Sequence, residues 1–449
     1  MREIDAHAPV PVDVLIGRAG AAAARVALEM LGGAYGRRVH VLAGPGNNGA
    51  DGRVAADRLR ERGVGVTVHD ALDPPTGLPP CDLVIDAAFG TGFRDRWAPP
   101  EVGDAAVLAV DVPTGLDAGR GTAIRGTIAA DRTVTFGAAK PGHLFGDGPR
   151  VVGRLDVVDI GLGVDPPTVA SDAGIVERGD VAAWLPTRER DAHKWTTAVR
   201  IVAGSSGMTG AAWLAAAGAQ RAGAGIVVAS CPGIDAALPI EVVGRVIPPF
   251  DWTDDLMVDL HRFSSLVIGP GLGRAEYAIP SIVAAIESST VPTVIDGDGL
   301  FAMSWNEHGA PNDLRDREVA FVLTPHDGEY LQLLGVAPDP DRIVAARRLV
   351  DATGAVVLLK GPNTVVASPD GPAMVVTNGD QRLATAGSGD VLAGVLAALL
   401  AAGLDPARAA AAAAWLHAEA ADRAGEGLVA GDLPTQLPAV VSDLIGTAG

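Results

Sequence analysis

Cysteine is scarce in this chain. Only Cys81 and Cys231 occur among 449 residues, too few for a disulfide framework. Positive charge is also short, with 35 lysines and arginines against 54 aspartates and glutamates, a formal net charge of −19. That balance argues against nucleic acid and anionic membrane as partners, since both need a basic face. Any anionic ligand must therefore be held by local backbone amides and a few placed cations. No apolar run, the alanines of 409–414 and the stretch after Asp390 included, reaches the ~20 residues of a membrane span. The opening MREIDAHAPV lacks the basic-then-apolar pattern of a secretory signal, so the expected location is the cytoplasm. Lysine is almost as scarce: only Lys140, Lys194 and Lys360, in AAKPG, DAHKW and LLKGPNT, depart from arginine. Each is a candidate for a position that needs a compact ammonium, with chance placement as the alternative. There is no G-x-x-x-x-G-K-[ST], so any nucleotide is held without a Walker loop.

What is present is a repeated alternation of apolar strands, polar loops and helices, long enough for two or three domains with full cores. Val12 to Leu31 has helical apolar spacing, Arg38 to Ala43 is a strand, and GPGNNGADG leads into a helix from Gly52 to Arg62. Gly44, Gly46 and Gly49 satisfy a G-x-G-x-x-G spacing, and Asp70 ends the following strand, as in a dinucleotide fingerprint. Asn47, Asn48 and Asp51 speak against it, because they put side-chain oxygens and a negative charge where pyrophosphate would lie. Strands over Asp82–Ala88, Ala106–Val112 and Thr133–Gly137 each end in an acidic or glycine-rich turn, gathering polar groups at one edge of a parallel sheet. Asn48, Asp86 and Thr114 are oxygen donors of the kind hard cations take, or else turn caps. The pattern breaks near Val164 to Ala173, where a linker is expected. A second alternation follows: strand Val199–Ala203, helix Ala211–Ala222, strand Gly225–Ser230, and further apolar strands up to NGDQRLATAGSGDVLAGVLAALL.

In that last stretch, Gly387, Ser388 and Gly389 bring bare amides close to a ligand, and a buried helix with its positive dipole end follows at Val391, Leu392, Val395, Leu396 and Leu399. It has the composition of a phosphate site. Asp390, in the first turn, stands where a base could take a hydroxyl proton, unless it only caps the helix.

These segments carry a resemblance. The second half resembles the ADP/ATP-dependent NAD(P)H-hydrate dehydratases of the ribokinase-like superfamily. The matching residues are His193 and Lys194, IGPGLG (268–273), IDGDGL (295–300), LTPHDGE (323–329), KGPNT (360–364) and ATAGSGDVLAG (384–394). The first half resembles the NAD(P)H-hydrate epimerases through GPGNNGADG, DAAFGTGF, VDVPTGLD and TFGAAKPGHLFGDG, in the order of the bifunctional repair enzymes. The resemblance implies an α/β chain: an N-terminal Rossmann-like three-layer domain (1–165), then a larger ribokinase-like α/β domain (172–449). It implies epimerisation of the R and S hydrates of NADH and NADPH (NADHX and NADPHX), and dehydration of the S hydrate at the expense of ADP or ATP.

On the same basis Asp390 and Asp111 would be catalytic. The hydrate would meet Asn47, Asn48, Gly49, Ala50, Asp51, Gly90, Thr91, Gly92, Phe93, Arg94, Asp95, Arg96 and Asp111 in the first domain, and Ala211, Gly271, His326 and Asp390 in the second. Lys360, Gly361, Pro362, Asn363, Thr364 and Gly389 would hold the nucleotide with Mg2+, and Asn48, Asp86 and Thr114 a potassium ion. A homo-oligomer is implied, with no nucleic acid or membrane partner. Ala50, Trp195, Gly297 and Gly299 depart from the family pattern, the last two reading as a loosened loop. The rival reading is a ribokinase-like small-molecule kinase with a non-catalytic nucleotide-binding module in front.

Overall fold

The computed structural model describes residues 8–91, 97–163, 172–304 and 313–446. The chain divides into two compact units, Met1–Ala170 and Ser171–Gly449. Most of the expected linker lies outside the described residues.

The first unit contains β1 (Arg38–Ala43), β2 (Gly65–Asp70), β3 (Leu83–Ala87), β4 (Ala106–Val110), β5 (Arg132–Phe136) and β6 (Arg154–Val158), with helices α1 (Val12–Leu31), α2 (Asn47–Glu61), α3 (Pro141–Leu144) and α4 (Gly148–Val151). The strands form one parallel sheet in the order β2-β1-β3-β4-β5-β6. The central strands are apolar on both faces, as a sheet covered on both sides requires. Val39, Val41 and Ala43 of β1 pack with the alanines of α1 and with Ala55, Ala56 and Leu59 of α2. Leu42, facing the other way, packs with Val84, Val107 and Ala109. On that second face Leu78, Phe89, Trp97 and Val102 of the connecting loops pack against these strands.

One boundary needs correcting. The helix expected from Gly52 begins at Asn47, because Gly46 adopts an extended cap conformation and Ala50 N–H already closes the first turn onto the Gly46 carbonyl at 3.0 Å. Ala50 is therefore helical and needs no left-handed backbone. Gly49 is fixed by packing, since a Cβ there would enter the backbone of Gly44.

The second unit holds β7 (Ala173–Ile175), β8 (Ala198–Val202), β9 (Ile226–Ser230), β10 (Val243–Gly244), β11 (Ser265–Ile268), β12 (Thr293–Ile295), β13 (Phe321–Leu323), β14 (Val356–Leu359), β15 (Thr364–Ala367) and β16 (Ala373–Val376). Its helices are α5 (Arg178–Trp184), α6 (Thr209–Arg221), α7 (Thr253–Leu260), α8 (Ile279–Ser288), α9 (Asp298–Ser304), α10 (Asp327–Leu334), α11 (Arg342–Thr353), α12 (Ser388–Ala401), α13 (Pro406–Ala424) and α14 (Leu433–Ile445). The sheet runs β10-β9-β8-β11-β12-β13-β14-β15-β16-β7, parallel except where β15 joins β14 and β16. Helix α12 is buried from Val391 to Ala401 and crosses α6 with almost nothing between them. A Cβ on Gly394 would collide with the Ala215 carbonyl, and one on Gly218 would press on that of Val391. Ser265 ties the same helix to β11, its hydroxyl donating to the Ala397 carbonyl at 2.7 Å. Trp195, the departure beside Lys194, packs edge-on against Phe263 and carries Arg262 over its ring at 4.2 Å. Among the described residues no helix is long and apolar enough to cross a membrane.

Candidate active sites

In the first unit the strand order reverses between β1 and β3, which opens a crevice at their carboxyl ends. A cavity of about 740 Å³ lies there. Val10, Val12, Leu15, Ile16, Ile160 and Leu162 give it an apolar side, and Asn47, Asn48, Asp51, Asp111 and Lys140 a polar one, with Gly90 and Thr91 also in the wall. Gly92, Phe93, Arg94, Asp95 and Arg96 lie outside the described residues. Asp70 sits apart on β2, its carboxylate accepting the Leu72 N–H.

Asp86, at the end of β3, is fully buried. It accepts the Thr114 hydroxyl at 2.6 Å, the Thr114 N–H at 2.8 Å and the Ala88 N–H at 3.2 Å. The turn-capping bonds are thus real, yet burial still pushes its carboxyl above the ordinary range. The Thr114 hydroxyl also meets the backbone of Phe89, and the next residue, Gly90, stands against Asn48. Both polar atoms of the buried Asn48 side chain lack a hydrogen-bond partner among the described residues. An orphaned amide beside a buried carboxylate, a hydroxyl and a carbonyl is an oxygen-rich donor set that suits a hard monovalent cation.

Asp111, just after β4, has a left-handed backbone (φ 66°), a conformation aspartate tolerates better than most residues. Its N–H donates to the Val134 carbonyl at 2.7 Å. Its carboxylate accepts the Lys140 ammonium at 2.6 Å and the Thr135 hydroxyl at 2.9 Å. Lys140, only 4% exposed, also donates to Thr135 and to the Phe136 carbonyl. His143 accepts the Lys140 N–H on Nδ1, which leaves Nε2–H to donate to the Asp111 carbonyl at 2.9 Å. Burial first, and Lys140 second, lower the imidazole to about 4, so it is neutral. Asp51, on α2, is 7% exposed, and burial reinforced by Asp111 raises it to about 8. Sequence reasoning misses the Thr135–Lys140–His143 support as a group; the lone lysine in AAKPGH is its one visible signal.

In the second unit the order reverses between β8 and β11, and there Gly271 (φ 61°) sits against Ala211 and Met208. Helix α12 starts at Ser388 after a left-handed Gly387, with no side chain capping its amides. Asp390 therefore does not cap. Its carboxyl is raised to about 7 by burial and by Asp296, against the lowering pull of Lys360. The neutral ring of His417, lowered to about 4 by burial, bonds the Ser388 carbonyl at 2.9 Å and steadies the turn.

Lys360 leaves the end of β14 and donates to Asp296 at 2.9 Å, with Glu329 at 3.5 Å. Burial works to lower it, but Asp296 and Glu329 outweigh that and hold it above its ordinary value. A Cβ on Gly389 would stand 3.4 Å from the Lys360 ammonium and 3.7 Å from Asp296, so the start of α12 and this cluster share one place. Gly361, Pro362 and Asn363 form the turn to β15, which Thr364 opens, and Gly361 packs on the Arg342 guanidinium. The His326 side chain caps a helix, its Nδ1 accepting the N–H groups of Gly328 and Glu329 at the start of α10. Gly297 (φ 55°) occupies a backbone that suits glycine, and a Cβ on Gly299 would crowd the Ile268 carbonyl, so the two departures fit a tight loop rather than loosen one.

With this geometry in hand, residues 199–442 match the family model described as NAD(P)H-hydrate dehydratase, and residues 12–77 and 69–142 match that of the YjeF-related protein N-terminus. The bifunctional NAD(P)H-hydrate repair enzyme Nnr of Moorella thermoacetica is 35% identical over 91% of this chain and 88% of its own. That of Mycobacterium leprae is 36% identical over 97% and 95%. The crystal structure of the ADP/ATP-dependent NAD(P)H-hydrate dehydratase from Bacillus subtilis, crystallised with ATP and Mg2+, superimposes with a TM-score of 0.51 at 28% identity, covering 60% of this chain and 97% of that one.

Proposed function

Since the chain belongs to the family of bifunctional NAD(P)H-hydrate repair enzymes, we propose that its first unit interconverts the R and S hydrates of NADH and NADPH and its second dehydrates the S hydrate using ADP or ATP. The carrying observation is the start of α12: uncapped amides, a buried Asp390 that caps nothing, and Lys360 beside Gly389. Hydroxide leaves badly at neutral pH, so the hydrate's hydroxyl must first become a phosphate ester. Asp390 takes the hydroxyl proton as the phosphoryl group arrives, and the amides from Ala386 to Gly389 stabilise its charge. The ring nitrogen's lone pair then expels phosphate. Lys360 and the KGPNT turn hold the nucleotide, and Ala211, Gly271 and His326 border the hydrate. Asp296 and Glu329 are oxygen donors of the type that Mg2+, bound with the nucleotide, would take, and there it would offset phosphate charge.

In the first unit Asn48, Asp86 and Thr114 would hold potassium, whose charge would offset the buried Asp86 carboxylate. Asn47, Gly49, Ala50, Asp51, Gly90, Thr91 and Asp111 face the hydrate. A homo-oligomer in the cytoplasm completes the proposal.

One assay tests the division of labour. The full chain with ADP, given mixed epimers in potassium buffer, should consume both, releasing phosphate and restoring dihydronicotinamide absorbance. Replacing potassium by a large organic cation should slow only the R epimer. A kinase would instead accumulate a phosphorylated product, and an untouched R epimer in potassium buffer would remove the epimerase half of the proposal.

A further inference from the structure

The cavity of the first unit presents two carboxylates in opposite circumstances. Asp111 is bound by an ammonium and a hydroxyl and is fixed from behind by His143 through its own carbonyl. Asp51, reaching the same cavity from α2, is almost fully buried, and Asp111 is the charge that acts on it. Among the described residues, the titratable groups acting on this space are Asp51, Asp111, Lys140 and the neutral His143. A carboxylate that carries an ammonium and a hydroxyl is oriented to accept a proton, whereas one that is buried beside another negative charge keeps its own.

We propose that Asp51 is the proton donor and Asp111 the proton acceptor of hydrate epimerisation, and that Lys140 is a positioning residue that keeps Asp111 in its accepting form. This rests on the epimerase reading of the first unit. The hydrate carries its hydroxyl on C6, next to ring nitrogen N1. Asp111 removes the hydroxyl proton as the C6–O bond becomes a carbonyl. The C6–N1 bond breaks, its electron pair goes to N1, and Asp51 delivers a proton there. Rotation about C5–C6 turns the other carbonyl face to N1, which attacks C6; Asp51 recovers its proton from N1, and Asp111 returns its proton to the oxygen. Atoms and charge close without a co-reactant, and each carboxyl finishes as it began. Expelling and re-adding water would instead leave Asp51 bare and Asp111 protonated after every turnover. Burial of Asp51, which raises it to about 8, agrees with a donor that stays protonated through neutral pH.

The test uses the full chain with ADP and potassium, following R-hydrate consumption, with S-hydrate dehydration and thermal melting as controls for the fold. Asp51→Asn, nearly isosteric, should lower kcat for the R epimer by about 10²-fold or more, with KM moving by less than about 3-fold. In the wild type, kcat for epimerisation should fall as pH rises through about 8, where Asp51 loses its proton. Lys140→Met should lower kcat for the R epimer by about 10-fold or more with KM moving by less than about 3-fold, and Lys140→Arg, which keeps the cation on Asp111, should restore most of that loss. A purely structural Lys140 would instead show as a lower melting temperature with kcat kept in the folded fraction. The proposal is overturned by an Asp51→Asn chain within about 3-fold of wild type, by an unchanged kcat in a folded Lys140→Met chain, or by uptake of one labelled oxygen per turnover from H2 18O. If the wild type leaves R hydrate untouched, the epimerase reading fails and takes this proposal with it; if only the variants behave like wild type, the proposal fails alone.

Discussion

Capping would lay the Asp390 carboxylate on the amides of the turn it opens; Gly387 holds the cap position instead, and those amides stay uncovered. Asp390→Asn should then cost about 10²-fold or more in dehydration while sparing the fold, since no capping bond is lost. The pH dependence follows from its carboxyl being raised from 3.8 to about 7. A base must be ionised, so dehydration should weaken as pH drops below about 7. Stability runs the other way. Between about pH 4 and 7 the unfolded chain ionises this group while the folded chain resists, so the native state loses stability as pH rises through that window. The asparagine variant lacks that loss, and its melting-temperature advantage should grow from pH 4 to 7 and then level off. Near-normal turnover would remove the catalytic assignment, and a pH-independent drop of about 1 kcal/mol in stability would mark a cap after all. At this scale the sequence is informative wherever a residue is chemically out of place. Two of its three lysines, Lys140 and Lys360, end in the two candidate sites. His326 shows the limit, because a cap and a ligand contact look alike in LTPHDGE, and only the bonds from Gly328 and Glu329 reveal the cap.

Elements with strong apolar patterns are legible in the sequence: α1 and β1 have the bounds their spacing suggests, whereas α2 starts five residues before the place its sequence marks. Asparagine and glycine are poor helix formers, so NNGADG reads as a loop, but Gly46 supplies the extended turn that starts a helix and packing holds Gly49 within it. The crossing of α6 and α12 is invisible for a related reason. Gly218 and Gly394 look like helix-weakening residues until their neighbours are known. Gly394→Val should cost about 1–3 kcal/mol or more, because the atom it meets is a backbone carbonyl that cannot rotate away. Gly17→Ala, inside α1 with open space around it, should be neutral or add up to about 1 kcal/mol. Thermal melting of both variants checks the contrast, and equal melting temperatures would show that the two helices can move apart.

Taken as two units, the chain displays its fold class and motif order plainly, because strands ending in polar loops recur from β1 to β14. Less visible is how much of the first cavity is apolar. Val10, Val12, Leu15 and Ile16 read only as the opening of a helix, and nothing in their spacing says that they face a ligand space shared with Asn48 and Asp51. The net charge of −19 acquires a physical counterpart in both units, where the candidate sites set one ammonium group each, Lys140 and Lys360, among carboxylates, joined in the second by bare amides. In the second unit those amides open α12, while Ala211 stands near the start of α6, and Leu214 reaches back to Gly387. Two helices locked backbone to backbone resist sliding, so Ala211, in the proposed wall of the hydrate pocket, and the loop that opens α12 behave as one rigid body. On the proposed reading the two ligands are then thermodynamically independent apart from touching one another. Titration with nucleotide, with and without an unreactive dihydronicotinamide analogue too short to reach the phosphates, should give dissociation constants within about 2-fold, and a tenfold change would reveal a coupling free energy of about 1.4 kcal/mol carried by the crossing itself.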